Sequence, residues 1–161
     1  MGPLEGRRVL VTGGTGSLGR LLIDRIRTGE QGHPDRIVVF SRDEAKQHEM
    51  RLALQRREVA TDDAVFAPSP VDFRIGDVTD LSSLSAALRD TDVVFHAAAL
   101  KQVPTCEYAP FEAVKTNVLG AENLVRAIRE QRLAVQTVIG ITTDKACKPV
   151  NVMGMTKALQ E

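Results

Sequence analysis

Three short segments carry residue types whose spacing could do chemistry. The first is the glycine loop TGGTGSLG, from Thr12 to Gly19. Gly13, Gly16 and Gly19 have the spacing G-x-x-G-x-x-G, which suits a tight turn, a close approach of backbone to a pyrophosphate, and close packing of a helix on a strand. A helix starting there would turn unpaired N–H groups and a partial positive charge toward phosphate. Gly13, Thr15, Gly16, Ser17, Leu18 and Gly19 are therefore candidate cofactor contacts. A glycine-rich turn that binds nothing is the alternative, disfavoured by the strand before the loop and the helix after it.

The second segment is SRDEAK, Ser41 to Lys46, where NAD-binding folds often place an acidic residue to hold the ribose 2′-hydroxyl. An Arg with a Ser and a Lys beside it, here Ser41, Arg42 and Lys46, suits a 2′-phosphate through charge-assisted hydrogen bonds. NADP is thus favoured, with NAD possible. In the alternative reading Arg42 is a solvated loop residue and Asp43 caps the next helix. Asp77 and Val78, after a third apolar run, stand where an adenine would lie, although Asp77 equally suits a turn. The third segment is Thr143-Asp144-Lys145. A carboxyl acting as acid needs a raised pKa and an amine acting as base a lowered one; a desolvated cleft provides both, while a charged Lys–Asp pair opposes them. An ordinary loop with Thr143 capping a turn is the alternative.

The elements needed to position these segments are legible as alternating patterns. Arg7 to Thr12, Arg36 to Phe40, Val71 to Ile75, Val93 to His96 and Val135 to Thr142 read as strands. Helices are expected over Ser17 to Thr28, Asp43 to Arg57, Leu81 to Leu88 and Pro110 to about Arg132, with a last one beginning near Asn151. Thr61 to Pro70 is acidic and proline-bearing and reads as a surface connection. Strands alternating with helices imply an α/β fold, a doubly wound parallel sheet with the ligand edge at the strands' carboxyl ends. All three segments fall on that edge.

Composition narrows the function classes. A chain of 161 residues with 43% hydrophobic content can bury one ordinary core. Twenty-one basic and 21 acidic residues cancel, which argues against a nucleic-acid binder. No uncharged apolar run approaches the roughly 20 residues that span a bilayer, and no secretory signal precedes Arg7, so a cytoplasmic protein without a membrane segment is expected. Cys106 and Cys147 form no C-x-x-C pattern, and His33, His48 and His96 show no metal spacing; neither a zinc site nor a cysteine nucleophile is expected.

With HAAALKQVPTCEYAPFEAVKTNVLGAEN (His96 to Asn123) and TTDKACKPVNVMGMTK (Thr142 to Lys157), these segments resemble the UDP-N-acetylglucosamine 4,6-dehydratases of bacterial polysaccharide biosynthesis. These are extended short-chain dehydrogenases/reductases. The resemblance covers essentially the whole chain; FSRDEAKQ, AAALKQVP and TTDKACKPVNVMG are its specific parts. It implies a Rossmann domain followed by a smaller domain that grips the UDP-sugar. Residues 1–161 are then expected to be the Rossmann part, incomplete at the C-terminal end and without the substrate domain, since a sixth strand is missing. A complete five-stranded domain with a short tail is the alternative. The longer parent is expected to be a homo-oligomer.

The resemblance further implies a lyase that removes a hydride from carbon 4 of the hexose, eliminates water across carbons 5 and 6, and returns the hydride to carbon 6. Thr143 would hydrogen-bond the 4-oxygen, Asp144 protonate the departing 6-hydroxyl, and Lys145 handle the carbon 5 proton. Lys157 would hold the nicotinamide ribose, and Ala97, Ala98, Ala99, Lys101 and Asn117 would lie beside the cofactor. A plain buried run is the alternative for the three Ala; from the sequence alone Lys101 reads better as a solvated Lys, and Asn117 would satisfy a kink in the long helix or hold a water. The family's Y-x-x-x-K reads Met153 to Lys157 here, and a thioether cannot relay a proton, which leaves Lys145 or a water near Lys157 as the base for the 4-hydroxyl. A 4-epimerase or ketoreductase on the same fold, or a non-catalytic NADP-binding module, are the competing functions. The exact sugar and the stereochemistry at carbon 5 do not follow from these residues.

Overall fold

The computed structural model describes residues 2–59 and 70–161. The connection expected over Thr61 to Pro70 lies, but for Pro70, outside the described residues. Five strands, β1 (Arg8–Thr12), β2 (Arg36–Ser41), β3 (Val71–Ile75), β4 (Val93–His96) and β5 (Thr137–Gly140), form one sheet in the order β3-β2-β1-β4-β5. Every pairing is parallel, with Val11 opposite Val39 on one side and Phe95 on the other. The chain winds outward from β1 in one direction through β2 and β3, then returns to build β4 and β5 on the other side. This is the Rossmann-like doubly wound arrangement, and its reversal point lies between β1 and β4.

Alternation along the strands feeds two cores. Val9, Val11, Ile37 and Val39 meet Ile23 and Ile26 of α1 (Ser17–Arg27) and Met50 and Leu54 of α2 (Glu44–Val59). Leu10, Val38, Phe40 and Val94 point the other way, onto Leu84 and Leu88 of α3 (Leu81–Leu88) and onto Leu124. With both faces covered, β1 and β2 read as unbroken apolar runs. Truncating a fully buried side chain such as Leu10 would cost about 2–5 kcal/mol.

The second half of the chain departs from simple expectation. A helix α4 (Val103–Tyr108) precedes the long helix, with Pro104 in its first turn. The expected long helix forms as α5 (Pro110–Ala113), a π-helical stretch (Val114–Leu119) and α6 (Gly120–Glu130). The wide π turn carries the fully buried Asn117. Strand β5 is shorter than the expected Val135 to Thr142. A short 3₁₀ turn (Asp144–Ala146) then leads to α7 (Val152–Gln160), whose N-cap Asn151 accepts the Gly154 amide at 2.8 Å. Among the described residues, no helix is long and apolar enough to cross a membrane.

Candidate functional site

A single cleft of about 1080 Å³ runs along the carboxyl edge of the sheet. Its floor is the glycine loop. The Gly13 amide donates to Phe40 O at 2.8 Å, which ties the end of β1 to the end of β2. Gly13 has φ +66°, and a Cβ there would sit 2.7 Å from Ala98 N and 2.8 Å from Ala97 O. The position requires glycine for conformation and for space. A Cβ on Gly19 would strike the Gly14 Cα at 2.6 Å, whereas one on Gly16 would meet only Gly13 O, at 3.3 Å, on the cleft side. Helix α1 begins at Gly16, which supplies no capping side chain. The amides of Ser17, Leu18 and Gly19 precede the first intrahelical bond, from Arg20 N to Gly16 O, and are left without a capping side chain, as anion-binding helix starts require. This uncapped cradle fits the diphosphate of a dinucleotide.

On the β2–β3 side the wall is made by Ser41, Arg42, Asp43, Lys46, Asp77 and Val78. Arg42 Nη1 lies 3.4 Å from Asp77 Oδ2, while Asp77 Oδ1 accepts the Thr79 amide and hydroxyl, each at 3.0 Å. Burial pushes the Asp77 carboxyl up, but the Thr79 bonds and the Arg42 charge outweigh it, so the net shift is down. Lys46 Nζ lies 2.7 Å from Asp43 Oδ2, and that contact, with the Lys46 amide, holds Asp43 below the usual carboxylate range. Arg20 also lines the wall; its Nε donates to Thr15 O at 3.0 Å. Sequence reasoning passed over Arg20, although a cation one residue after the last loop glycine was a readable signal; Asp43 caps α2, as the alternative reading expected, and lines the cleft as well.

On the β4–β5 side, Ala97, Ala98, Ala99, Lys101, Thr143, Lys145 and Lys157 face the same cleft. Thr12, at the end of β1, is fully buried. Its hydroxyl accepts the Ala98 amide at 3.2 Å and lies 2.9 Å from His96 Nδ1. A hydroxyl has one donor and two acceptor lone pairs, so this contact suits either neutral tautomer of the ring. Burial, reinforced by the Lys157 charge, pushes His96 down to about 4, so the ring is neutral. Its Nε2 has no partner among the described residues.

Lys157 is buried, and its ammonium donates to Ile141 O and Gln160 Oε1. Burial lowers its pKa, partly opposed by Glu161. Met153 lines the wall while packing with Cys106 and Ala113.

Two expected site residues stand apart from the cleft wall. Asn117 is spent on the backbone: it accepts from Leu100 N at 2.8 Å and donates to Leu100 O at 3.0 Å and to Thr156 Oγ1 at 2.9 Å. It anchors the loop after β4 to α7. Asp144 has a side chain 85% exposed. Its Oδ1 accepts the Thr143 hydroxyl at 2.8 Å and lies 3.5 Å from Lys145 Nζ, and these two hold its carboxyl below the ordinary value. That direction is opposite to what an acid at neutral pH requires. Among the described residues, no cluster of His, Cys, Asp and Glu could hold a metal.

Comparison with known proteins places this geometry. A family model described as a polysaccharide biosynthesis protein matches residues 9–161. A UDP-glucose 4-epimerase of Rickettsia bellii is 46% identical over 156 residues, covering 96% of this chain and 42% of that protein. A UDP-glucose 4-epimerase of Rickettsia akari is 45% identical over the same length. The chain thus spans less than half the length of these curated relatives.

Among solved structures, Pen from Bacillus thuringiensis matches with a TM-score of 0.83 at 30% identity, over 98% of this chain and 44% of that one. A dTDP-glucose 4,6-dehydratase from Streptomyces venezuelae with NAD and TYD bound matches with a TM-score of 0.71 at 22% identity, over 95% of this chain and 49% of that one. At that identity the likeness is one of fold.

Proposed function

The chain belongs to the polysaccharide biosynthesis protein family, and from that premise we propose that its cleft binds a dinucleotide and works at carbon 4 of a UDP-linked hexose. We read the reaction as 4,6-dehydration of UDP-N-acetylglucosamine or a similar UDP-hexose, with NADP the preferred cofactor. The observation that carries this reading is the placement of Thr143 and Lys145 after β5, in one cleft with the glycine loop and Lys157. In this reading residues 1–161 form the dinucleotide half of a longer enzyme.

When bound, the nicotinamide supplies reversible acceptance of a hydride. Everything else falls to the chain. The uncapped start of α1 holds the diphosphate, and Arg42, Lys46 and Ser41 hold the 2′-phosphate. Lys157, fixed by Ile141 O, orients the ribose next to the nicotinamide. Thr143 positions the 4-oxygen of the sugar. Lys145 takes the carbon 5 proton, and Asp144 delivers a proton to the leaving 6-hydroxyl once substrate has drawn it inward. Met153 has no proton to relay, so the 4-hydroxyl proton goes to Lys145 or to a water beside Lys157.

A second reading, 4-epimerisation, is supported by the outward-turned, ionised Asp144 and by the names of the curated relatives. An epimerase returns the hydride to carbon 4 and needs no acid at carbon 6. Mass spectrometry of UDP-N-acetylglucosamine and UDP-glucose, incubated with a protein of the relatives' length carrying these residues, separates the two. Loss of one water supports dehydration. An unchanged mass with interconversion of the 4-epimers supports epimerisation, and no change in either sugar overturns both.

A further inference from the structure

The turn between β3 and α3, residues 76–80, supplies Asp77 and Val78 to the cleft, and it is held in place from outside the cleft. Its own bonds fix its shape. Asp77 Oδ1 accepts the Thr79 amide and hydroxyl, each at 3.0 Å, and the Asp77 carbonyl accepts the Asp80 amide at 3.1 Å. Its start is tied to β2, where Ser41 O accepts the Gly76 amide at 3.0 Å. None of these bonds sets how far the middle of the turn reaches into the cleft.

That is set by α6. Asn123 Nδ2 donates to Val78 O at 3.0 Å and to Thr79 O at 3.1 Å. Two carbonyls at one end of the side chain select its NH2 group, which has two donors. Three residues earlier, on the same face of the helix, Gly120 lies against Val78. A Cβ at Gly120 would stand 2.8 Å from Val78 Cγ2. Val78 is 4% exposed and β-branched, so its side chain cannot turn aside cheaply. Gly120 lets the turn come close, and Asn123 clamps it there. Asn123 itself stands outside the cleft wall.

The clamped turn presents the Asp77 carboxylate. With Oδ1 spent on Thr79, Oδ2 is left for Arg42, at 3.4 Å, and for a ligand. A carboxylate only accepts hydrogen bonds, so it suits an exocyclic amino group and repels a carbonyl oxygen. We propose that Asn123 is a positioning residue for the base end of the cleft: by holding the Val78 and Thr79 carbonyls it sets the reach of the Asp77 carboxylate to a purine amino group, so that the chain distinguishes adenine from a 6-oxopurine. The proposal rests on the dinucleotide reading of the cleft.

The test is titration of the 161-residue chain and its Asn123→Ala variant with NADPH and with reduced nicotinamide hypoxanthine dinucleotide phosphate, followed by nicotinamide fluorescence. The analogue differs only in carrying oxygen where adenine carries its amino group, so the ratio of the two affinities reads the base contact and cancels a general loss of stability. The unmodified chain should prefer NADPH by about 10-fold, the low end for a hydrogen bond to a charged group because Asp77 is partly exposed. Asn123→Ala should bring the ratio down to about 1- to 3-fold. Asn117→Ala, which removes an anchor elsewhere on the same long helix, should keep the ratio near its unmodified value however far it lowers the denaturant midpoint. Should Asn123→Ala lose its fold by circular dichroism, Asn123→Ser keeps one donor and should give a ratio between the two. A ratio lowered by less than about twofold in the folded variant overturns the proposal, as does equal binding of both nucleotides by the unmodified chain. An equal fall in Asn117→Ala also overturns it, since loosening of the fold would then suffice. Failure of the unmodified chain to bind either nucleotide would overturn the dinucleotide reading and the proposal with it.

Discussion

In the proposed dehydration Asp144 is the acid that an epimerase would not need, and its surroundings let the effect of Asp144→Asn be worked out. A carboxyl of ordinary pKa is protonated in only about one molecule in a thousand at pH 7. Asp144 lies lower still, because the Thr143 hydroxyl and the Lys145 ammonium both favour its charged form. To serve as an acid it must exchange these partners for the buried side of the cleft, where desolvation raises a carboxyl. The side chain is 85% exposed here, so in the proposed reading substrate binding drives this exchange.

If Asp144 protonates the leaving hydroxyl, Asp144→Asn should slow loss of water by about 10²–10⁴-fold. Hydride removal at carbon 4 should survive, so absorbance of reduced nicotinamide should appear and persist after mixing with UDP-N-acetylglucosamine. Water loss should also decline as pH rises above the pKa reached in the complex, because the acid is then deprotonated before reaction. The assay is product mass spectrometry alongside absorbance at single turnover, in a protein of the relatives' length. Water loss within about threefold of the unmodified enzyme would refute the acid role, and the Thr143-Asp144-Lys145 segment would then be a turn that merely presents Thr143 and Lys145.

Arg42→Ala should weaken NADPH by about 1–1.5 kcal/mol, the low end for a charge-assisted contact because the side chain is 63% exposed, with NADH little changed; calorimetry checks it. Asn117→Ala should destabilise the fold by about 2–4 kcal/mol, since it leaves Leu100 N and O without their partner away from water, and a denaturant midpoint reads the loss. Asp92 is held at about 2, chiefly by its hydrogen bonds from Arg8, with ion-pair distance 2.8 Å. Its folded value is below its unfolded one, so it contributes about 1–2 kcal/mol above roughly pH 4 that is lost as pH falls toward 2. Asp92→Asn should flatten that part of the acid-unfolding curve, and an unchanged curve would remove Asp92 from the account.

What the sequence made legible follows from how each element is buried. RVLVT and RIVVF belong to strands covered on both faces, so they show as continuous apolar runs between turns. The glycine loop was legible because Gly13 must adopt φ +66° against the backbone of Ala97 and Ala98, a demand only glycine meets. Helix α4 escaped notice because six residues beginning at Val103, with Pro104 in the first turn, show no amphipathic period. The role of Asn117 was illegible because its partners lie 17 residues before it and 39 after it, in a π turn with no sequence signature. Arg42 and Asp77 were each singled out as ligands. Their pairing to each other depends on how β2 and β3 end side by side, with Ser41 opposite Ile75.

The two sides of the cleft are built on opposite electrostatic plans, and the difference bears on the chemistry. The acidic residues that line it, Asp43 and Asp77, both stand on the β2–β3 side, each against a cation. On the β4–β5 side the lining carries Lys101, Lys145 and Lys157, and Asp144 turns outward. His96 adds no charge there, since protonating it would bury a second cation in the field of Lys157. The Thr12 hydroxyl pairs with Nδ1, while Nε2 has no partner among the described residues. Lys145 is paired with Asp144 and is the proposed base, so Lys101 and Lys157 are the cations left to hold positive charge on this side of the edge. Such an edge stabilises negative charge developing on a sugar oxygen without reorganising when the charge appears. This is what removal of a hydride from an alkoxide-like carbon 4 needs, and it is common to dehydration and epimerisation. In the proposed reading, a 4-hydroxyl held beside the Lys157 charge would lose its proton more easily, which would offset Met153 standing where the family's tyrosine would be.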